Sequence, residues 1–189
     1  MITAGEGIRT DRERALLSVG YDAMARRSEL VALDVEDFSF LSDGTGRVLI
    51  RRSKTDQAGE GSVAYLSPDT LLYLKAWLRA FGIKRGAVFR RLIGRDRIGD
   101  RLQVDSIAQT VKRVAKFVGM TADEAQDVSG HSIRVGATQD MLALNIDLAS
   151  VMQAGRWKTT AMPMRYGEEV QAGRGGMART AKAQGRDRA

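Results

Sequence analysis

Apolar positions recur at helical spacing from early in the chain. In "IRTDRERALLSVGYDAMA", Ala15, Leu16, Val19 and Ala23 fall on one helical face, and Thr10 with Glu13 gives the capping pattern of a helix start. "SELVAL" predicts a short second helix with Ser28 as its N-cap. The period then changes. "DVEDFSFL", "GRVLIRRS" and "GSVAYLS" are short, rich in β-branched or aromatic residues, and separated by "SDGTG" and "KTDQAGEG". Those three segments predict a three-stranded antiparallel meander. "SPDTLLYLKAWLRAFG" returns to a helix with Ser67 as N-cap, Pro68 at its first position and Gly82 past its end, and Trp77 on its apolar face.

"GAVFRRLIGRDRIGDRL" reads as a basic connector around a short extended piece. "DSIAQTVKRVAKFVGM" is a strongly amphipathic helix, "HSIRVGATQDMLAL" is another, and "DLASVMQAGR" and "TTAMPMRYGEE" predict shorter ones. From Ala172 onward the chain is Gly-rich, basic and poor in apolar residues, which predicts a flexible tail with a brief helix at "MARTAKA". The expected fold is α+β, mainly α-helical with a small three-stranded antiparallel sheet. The main body spans residues 1–171 and the tail 172–189.

Composition narrows the chemistry. There is no cysteine and a single histidine among 189 residues, so disulfides, thiolate catalysis and Cys- or His-rich metal sites are excluded. No clustered acidic motif suggests a magnesium site, and no cofactor is expected. No apolar run approaches the roughly 18 residues a membrane span needs, and the N-terminus lacks the layout of a signal peptide. These features predict a cytoplasmic protein. The formal net charge of +7 favours a polyanionic partner, and nucleic acid is the commonest.

Four separated segments carry residues suited to phosphate chemistry. "MARRSEL" holds Arg26 three positions before Glu29, and "RRSKTDQ" holds Lys54 between two strands. "SGHSIRVGATQDM" holds His131 three before Arg134, and "GRWKTTAMPMRY" holds Trp157 nine before Tyr166. Two guanidiniums can clamp the non-bridging oxygens of a phosphodiester and stay protonated while charge builds on them. An indole N–H donates and cannot accept, which suits a phosphate oxygen. A tyrosine can act as a nucleophile, but a phenol with an ordinary pKa of about 10 needs its proton removed, and His131 is the candidate acceptor. Lys54 on a hairpin loop could protonate a departing 5′ oxygen, and Glu29 could orient an arginine or the histidine. The flanking Arg51, Arg52, Arg90, Arg91, Lys112, Arg113 and Lys158 read as mostly solvated.

In identity, order and interval these motifs resemble the active site of the tyrosine recombinases, the phage integrase family, and especially its Cre-like members. The resemblance covers residues from about 10 to about 170. It implies the catalytic domain of a site-specific DNA recombinase that cuts and rejoins double-stranded DNA through a 3′-phosphotyrosyl link. Arg26, Lys54, His131, Arg134, Trp157 and Tyr166 would be catalytic and Glu29 would support them. It further implies a homotetramer on DNA held by C-terminal exchange over residues 167–183. An N-terminal core-binding domain is also implied, and it is missing from a sequence that starts almost at the catalytic part. Two other readings stay open: a type IB topoisomerase-like nicking-closing enzyme, against which Trp157 counts, and a non-catalytic DNA-binding protein keeping the fold.

Overall fold

The computed structural model describes residues 8–51, 61–94 and 97–187. In chain order its elements are α1 (Ile8–Asp22), α2 (Arg27–Ala32), a 3-10 turn (Val35–Asp37), β1 (Phe38–Phe40), β2 (Gly46–Ile50), β3 (Ser62–Leu66), α3 (Pro68–Ala80), β4 (Arg90–Ile93), β5 (Arg97–Arg101), α4 (Val104–Phe117), α5 (Ala122–Asp127), α6 (Ser132–Ala143), α7 (Leu148–Gly155), α8 (Ala161–Tyr166), α9 (Glu168–Ala172) and α10 (Gly176–Ala183). Two compact units result, one running through Arg134 and one from Val135, so the division falls inside α6. Among the described residues no helix is long and apolar enough to cross a membrane.

In the first unit α1 lies along α3, and their apolar faces meet the sheet in one core that includes Leu16, Val19, Val48, Leu66, Leu74 and Trp77. The predicted meander is present, with strand order β1-β2-β3 and both pairs antiparallel. β2 alternates as a half-buried strand should: Gly46, Val48 and Ile50 point inward while Arg47 and Leu49 face out. Gly46 is there because α3 comes close. A Cβ at this position would stand 2.9 Å from a Leu71 methyl and 3.0 Å from the Ser39 carbonyl. Ser67 caps α3 as expected, accepting from the Thr70 N–H at 3.3 Å. Its own N–H and hydroxyl both donate to Asp22 at 2.7 Å, which ties the end of α1 to the start of α3. Trp77 is fully buried, and its indole N–H donates to the Val88 carbonyl at 2.8 Å, so burial leaves no polar group stranded.

Several boundaries differ from the sequence reading. Thr10 lies inside α1, which already runs from Ile8. Ser28 is the second residue of α2, and the extended residue before the helix is Arg26. The basic connector is a two-stranded antiparallel hairpin, β4–β5, with a register irregularity between Arg90 and Leu92. The short α5 has a full capping box that the sequence reading passed over: Thr121 accepts from the Glu124 N–H, and Glu124 accepts from the Thr121 N–H at 2.8 Å. In the second unit "TTAMPMRYGEE" is two helices, α8 and α9, parted at Gly167. α7 packs on α8 and α8 on α9. The brief helix expected in the tail is α10.

Candidate functional site

The turn from α1 into α2 holds the first group of candidate residues. α1 ends in a Schellman turn: the Ala25 N–H donates to the Gly20 carbonyl and the Met24 N–H to that of Tyr21, both at 3.1 Å. Glycine usually holds the left-handed position of this motif. Here it is Met24, with φ +44° and only 2% of its surface exposed. The turn delivers Arg26 in extended conformation at the head of α2. Glu29, one turn along α2, grips Arg26 twice. One carboxylate oxygen accepts from the Arg26 backbone N–H at 2.9 Å and the other from the guanidinium at 2.7 Å. The Glu29 side chain is 2% exposed and that of Arg26 is 23%, so a buried acid holds a cation whose head reaches the surface.

Arg134 approaches the same turn from α6. It is 1% exposed, and its guanidinium donates to the carbonyl of Met24. A buried guanidinium fixed by a main-chain oxygen is preorganised, since its orientation does not have to be found when an anion arrives. His131 lies immediately before α6, and its carbonyl accepts from the Arg134 N–H at 3.0 Å. Its own N–H donates to the Ser129 hydroxyl at 3.2 Å, and the Ser132 hydroxyl accepts from the Ser129 N–H at 2.9 Å. Gly130 packs so closely on the Arg27 stem that a Cβ would meet it at 2.5 Å. Burial, followed by the positive charges of Arg134, Arg26 and Arg27, pushes the His131 pKa below its usual 6.5. At neutral pH the imidazole is therefore uncharged and able to accept a proton. Arg26, Glu29, His131 and Arg134 are thus brought together around one turn.

Trp157 and Tyr166 belong to the second unit. α7 ends in the same kind of turn, with Arg156 at φ +54° and the Trp157 N–H donating to the Met152 carbonyl at 2.9 Å. The Trp157 ring folds back over Gly155, where a Cβ would stand 1.9 Å from the indole. Tyr166 is the last residue of α8, and its ring meets Trp157 edge-on with centroids 6.1 Å apart. The Gln139 side chain donates to the Tyr166 carbonyl at 3.1 Å and so fixes the end of the tyrosine helix. Met24, Gln139 and Gly155 were not singled out in the sequence. Only Gly155, one residue from the "RW" pair, offered a visible signal.

Lys54 and Arg52 lie outside the described residues. Of the other basic residues read as solvated, three have structural partners. Arg51 pairs with Asp37 at 2.6 Å and Asp34 at 3.1 Å, Arg113 pairs with Glu13, and Arg90 donates to the carbonyls of Ala87 and Arg85. Among the described residues no three carboxylate or imidazole groups gather as a metal-ligand set.

The chain is 32% identical over 165 residues to an integrase/recombinase XerD homolog of Selenomonas ruminantium, covering 84% of this chain and 47% of that protein. It is 25% identical over 179 residues to the recombinase Cre of Escherichia phage P1, covering 89% and 52%. It therefore spans about half the length of these relatives. Its fold is shared with XerH bound to its difH substrate (TM-score 0.68, 18% identity, 86% of this chain and 44% of that one). The XerA recombinase shares it too (TM-score 0.65, 16% identity, 83% and 51%). The profile of the phage integrase family matches residues 5–171, and the chain belongs to that family.

Proposed function

We propose that this chain is the catalytic part of a site-specific DNA recombinase, which cleaves one strand of a duplex through a 3′-phosphotyrosyl link and rejoins it to a partner strand. The observation that carries the reading is the cluster at the α1–α2 turn. There a buried acid holds Arg26, a main-chain carbonyl holds Arg134, and a neutral His131 stands in their field. Two fixed guanidiniums would bind the non-bridging oxygens of the scissile phosphate and neutralise the charge that develops there. The phenol of Tyr166 would attack phosphorus, forming a P–O bond as the bond to the 5′ oxygen breaks. His131 would take the phenolic proton, and Lys54 would supply one to the departing 5′ oxygen. Trp157 would donate its indole N–H to a phosphate oxygen. The same steps in reverse, with a 5′ hydroxyl from a partner strand, would rejoin the DNA. The energy of the broken bond is kept in the tyrosyl ester, so the scheme needs no metal or nucleotide.

The family resemblance supplies the wider setting. Residues 1–171 would be the catalytic domain, working in the cytoplasm as part of a homotetramer on DNA and together with a core-binding domain. The test is covalent trapping on a nicked suicide duplex, from which the cleaved end diffuses away. A protein–DNA adduct is expected with the native chain and none with Tyr166→Phe, while duplex affinity stays the same. An adduct that persists in the Phe variant would remove Tyr166 from the role.

A further inference from the structure

A second concentration of arginine lies in the first unit, apart from the Arg26 and Arg134 cluster. The first turns of α1, the strand β4 and one face of α4 line an open pocket of about 190 Å³. Against the roughly 30 Å³ that one water occupies in the liquid, this is room for a small polyatomic ion. Arg9 and Arg12 line it from α1, Arg91 from β4, and Ser106, Thr110 and Arg113 from α4. No carboxylate lines it among the described residues. Glu13, next in sequence to Arg12, has its carboxylate engaged by Arg113.

Arg12 is unusual in this group. It is 6% exposed and fastened by one hydrogen bond, from Nη1 to the Arg90 carbonyl at 3.1 Å. Its Nε–H is buried and has no acceptor among the described residues. A buried guanidinium with an unsatisfied donor is rare in a native fold, because both charge and N–H lose their solvation without replacement. Burial, opposed by Glu13 and reinforced by Arg113 and Arg9, lowers the Arg12 pKa to about 10, so the group is still cationic at neutral pH. Glu13 neutralises Arg113, but among the described residues no carboxylate pairs with Arg9, Arg12 or Arg91, so the pocket stays charged and rich in donors.

We propose that this cavity binds a phosphate-type oxyanion, with Arg12 as its buried floor and Arg9, Arg91 and Arg113 around it. A tetrahedral oxyanion brings several acceptors at once, which suits forked guanidinium donors, and the Ser106 and Thr110 hydroxyls can donate as well. The anion can come from a DNA backbone or from a free phosphate compound, since both present the same oxygens. The inference rests on the geometry of the cavity and does not depend on strand cleavage.

The experiment uses the full 189-residue chain and two exposed cavity arginines, whose replacement leaves the core untouched. Thermal unfolding is followed while inorganic phosphate replaces chloride at constant ionic strength. The native chain is expected to gain stability saturably with phosphate, as a ligand bound only by the folded state requires. Arg9→Gln/Arg91→Gln should weaken that binding by about tenfold or more, the loss expected when charge-assisted bonds are removed. Arg79→Gln, an exposed arginine on α3, should change nothing. A duplex that displaces phosphate from the cavity, with a salt slope shallower by about 0.9 in Arg91→Gln, identifies the DNA backbone as the source. Phosphate binding that duplex DNA does not disturb identifies a free phosphate compound. No saturable stabilisation by phosphate, or the same stabilisation in the double variant, overturns the proposal and leaves the trapping test of Tyr166 unaffected.

Discussion

Met24 combines a left-handed backbone with a buried side chain, and the two work against each other. A non-glycine residue in that conformation costs about 1–2 kcal/mol. Truncating a buried methionine costs about 2–5 kcal/mol. The side chain therefore outweighs the strain, which accounts for a residue other than glycine at the point where the Met24 carbonyl receives Arg134. Met24→Ala should lose the packing and keep the strain, whereas Met24→Gly should lose the packing and relieve the strain. Both should unfold at lower denaturant than the native chain, with the glycine variant the more stable of the two by about 1 kcal/mol. The reverse order would show that the backbone conformation is not held there. His131 makes a prediction in pH. Its pKa is held down by burial and by Arg134, Arg26 and Arg27, so below pH 6.5 the unfolded chain binds a proton that the folded chain resists. Stability should therefore fall as pH drops below 6.5, and His131→Gln should flatten that slope. Single-turnover cleavage should likewise stay level down to 6.5 and decline only at more acid pH. A cleavage rate that already falls between pH 8 and 7 would contradict a depressed imidazole.

At the scale of elements, what could be read in the sequence was what local pattern decides. Ser67, Pro68 and Gly82 bracket α3, and the structure has the helix between them, with Gly82 at φ +59°. The alternation in "GRVLI" and the turn residues around it gave the meander, and the amphipathic stripe in "DSIAQTVKRVAKF" gave α4. The missed boundaries depend on contacts distant in sequence or on unusual backbone. α2 starts at Arg27 because Glu29 reaches back to the Arg26 N–H, so no hydroxyl cap is needed and Ser28 was misleading. Three turns use Met24, Asn145 and Arg156 at positive φ, and two of these residues are poor markers of such a turn. The candidate site residues stand out in the sequence as motifs, but the carbonyl that fixes Arg134 and the amide of Gln139 do not. The approach of Trp157 to Gly155 belongs to this scale, because it joins the end of α7 to the tyrosine helix. With a Cβ at 1.9 Å, Gly155→Ala must displace the indole and with it the edge contact to Tyr166. The variant should lose about 1–3 kcal/mol, as overpacked sites do. Its tryptophan emission should shift to the red, against an unchanged contribution from the fully buried Trp77. Unchanged emission and stability would mean that the ring does not rest on that glycine.

Across the whole molecule the positive charge is unevenly committed. Arg26, Arg51, Arg101 and Arg113 are each paired with an internal carboxylate. They shape the fold and the site more than they add to the outer field. The last 18 residues hold five basic side chains against one acid, which is +4 of the formal +7. Arg174 among them has a structural contact, donating to the Ala143 carbonyl. Arg179 and Lys182 lie on α10 and Arg186 just beyond it, all exposed. Charges of this kind act on nucleic acid by neutralising phosphates and releasing counterions, with a slope of about −0.9 in log affinity per phosphate against log salt on duplex DNA. They carry no sequence information. Replacing Arg179, Lys182 and Arg186 together by glutamine should therefore make the salt dependence of duplex binding shallower by up to about 2.7. The ranking of different duplex sequences should not change, and neither should the fraction trapped covalently once DNA is saturating. Titrations at several salt concentrations, on two unrelated duplexes, read this directly. An unchanged slope accompanied by loss of protein–protein assembly on DNA would show that α10 serves as a docking helix and that its basic residues do not meet phosphate.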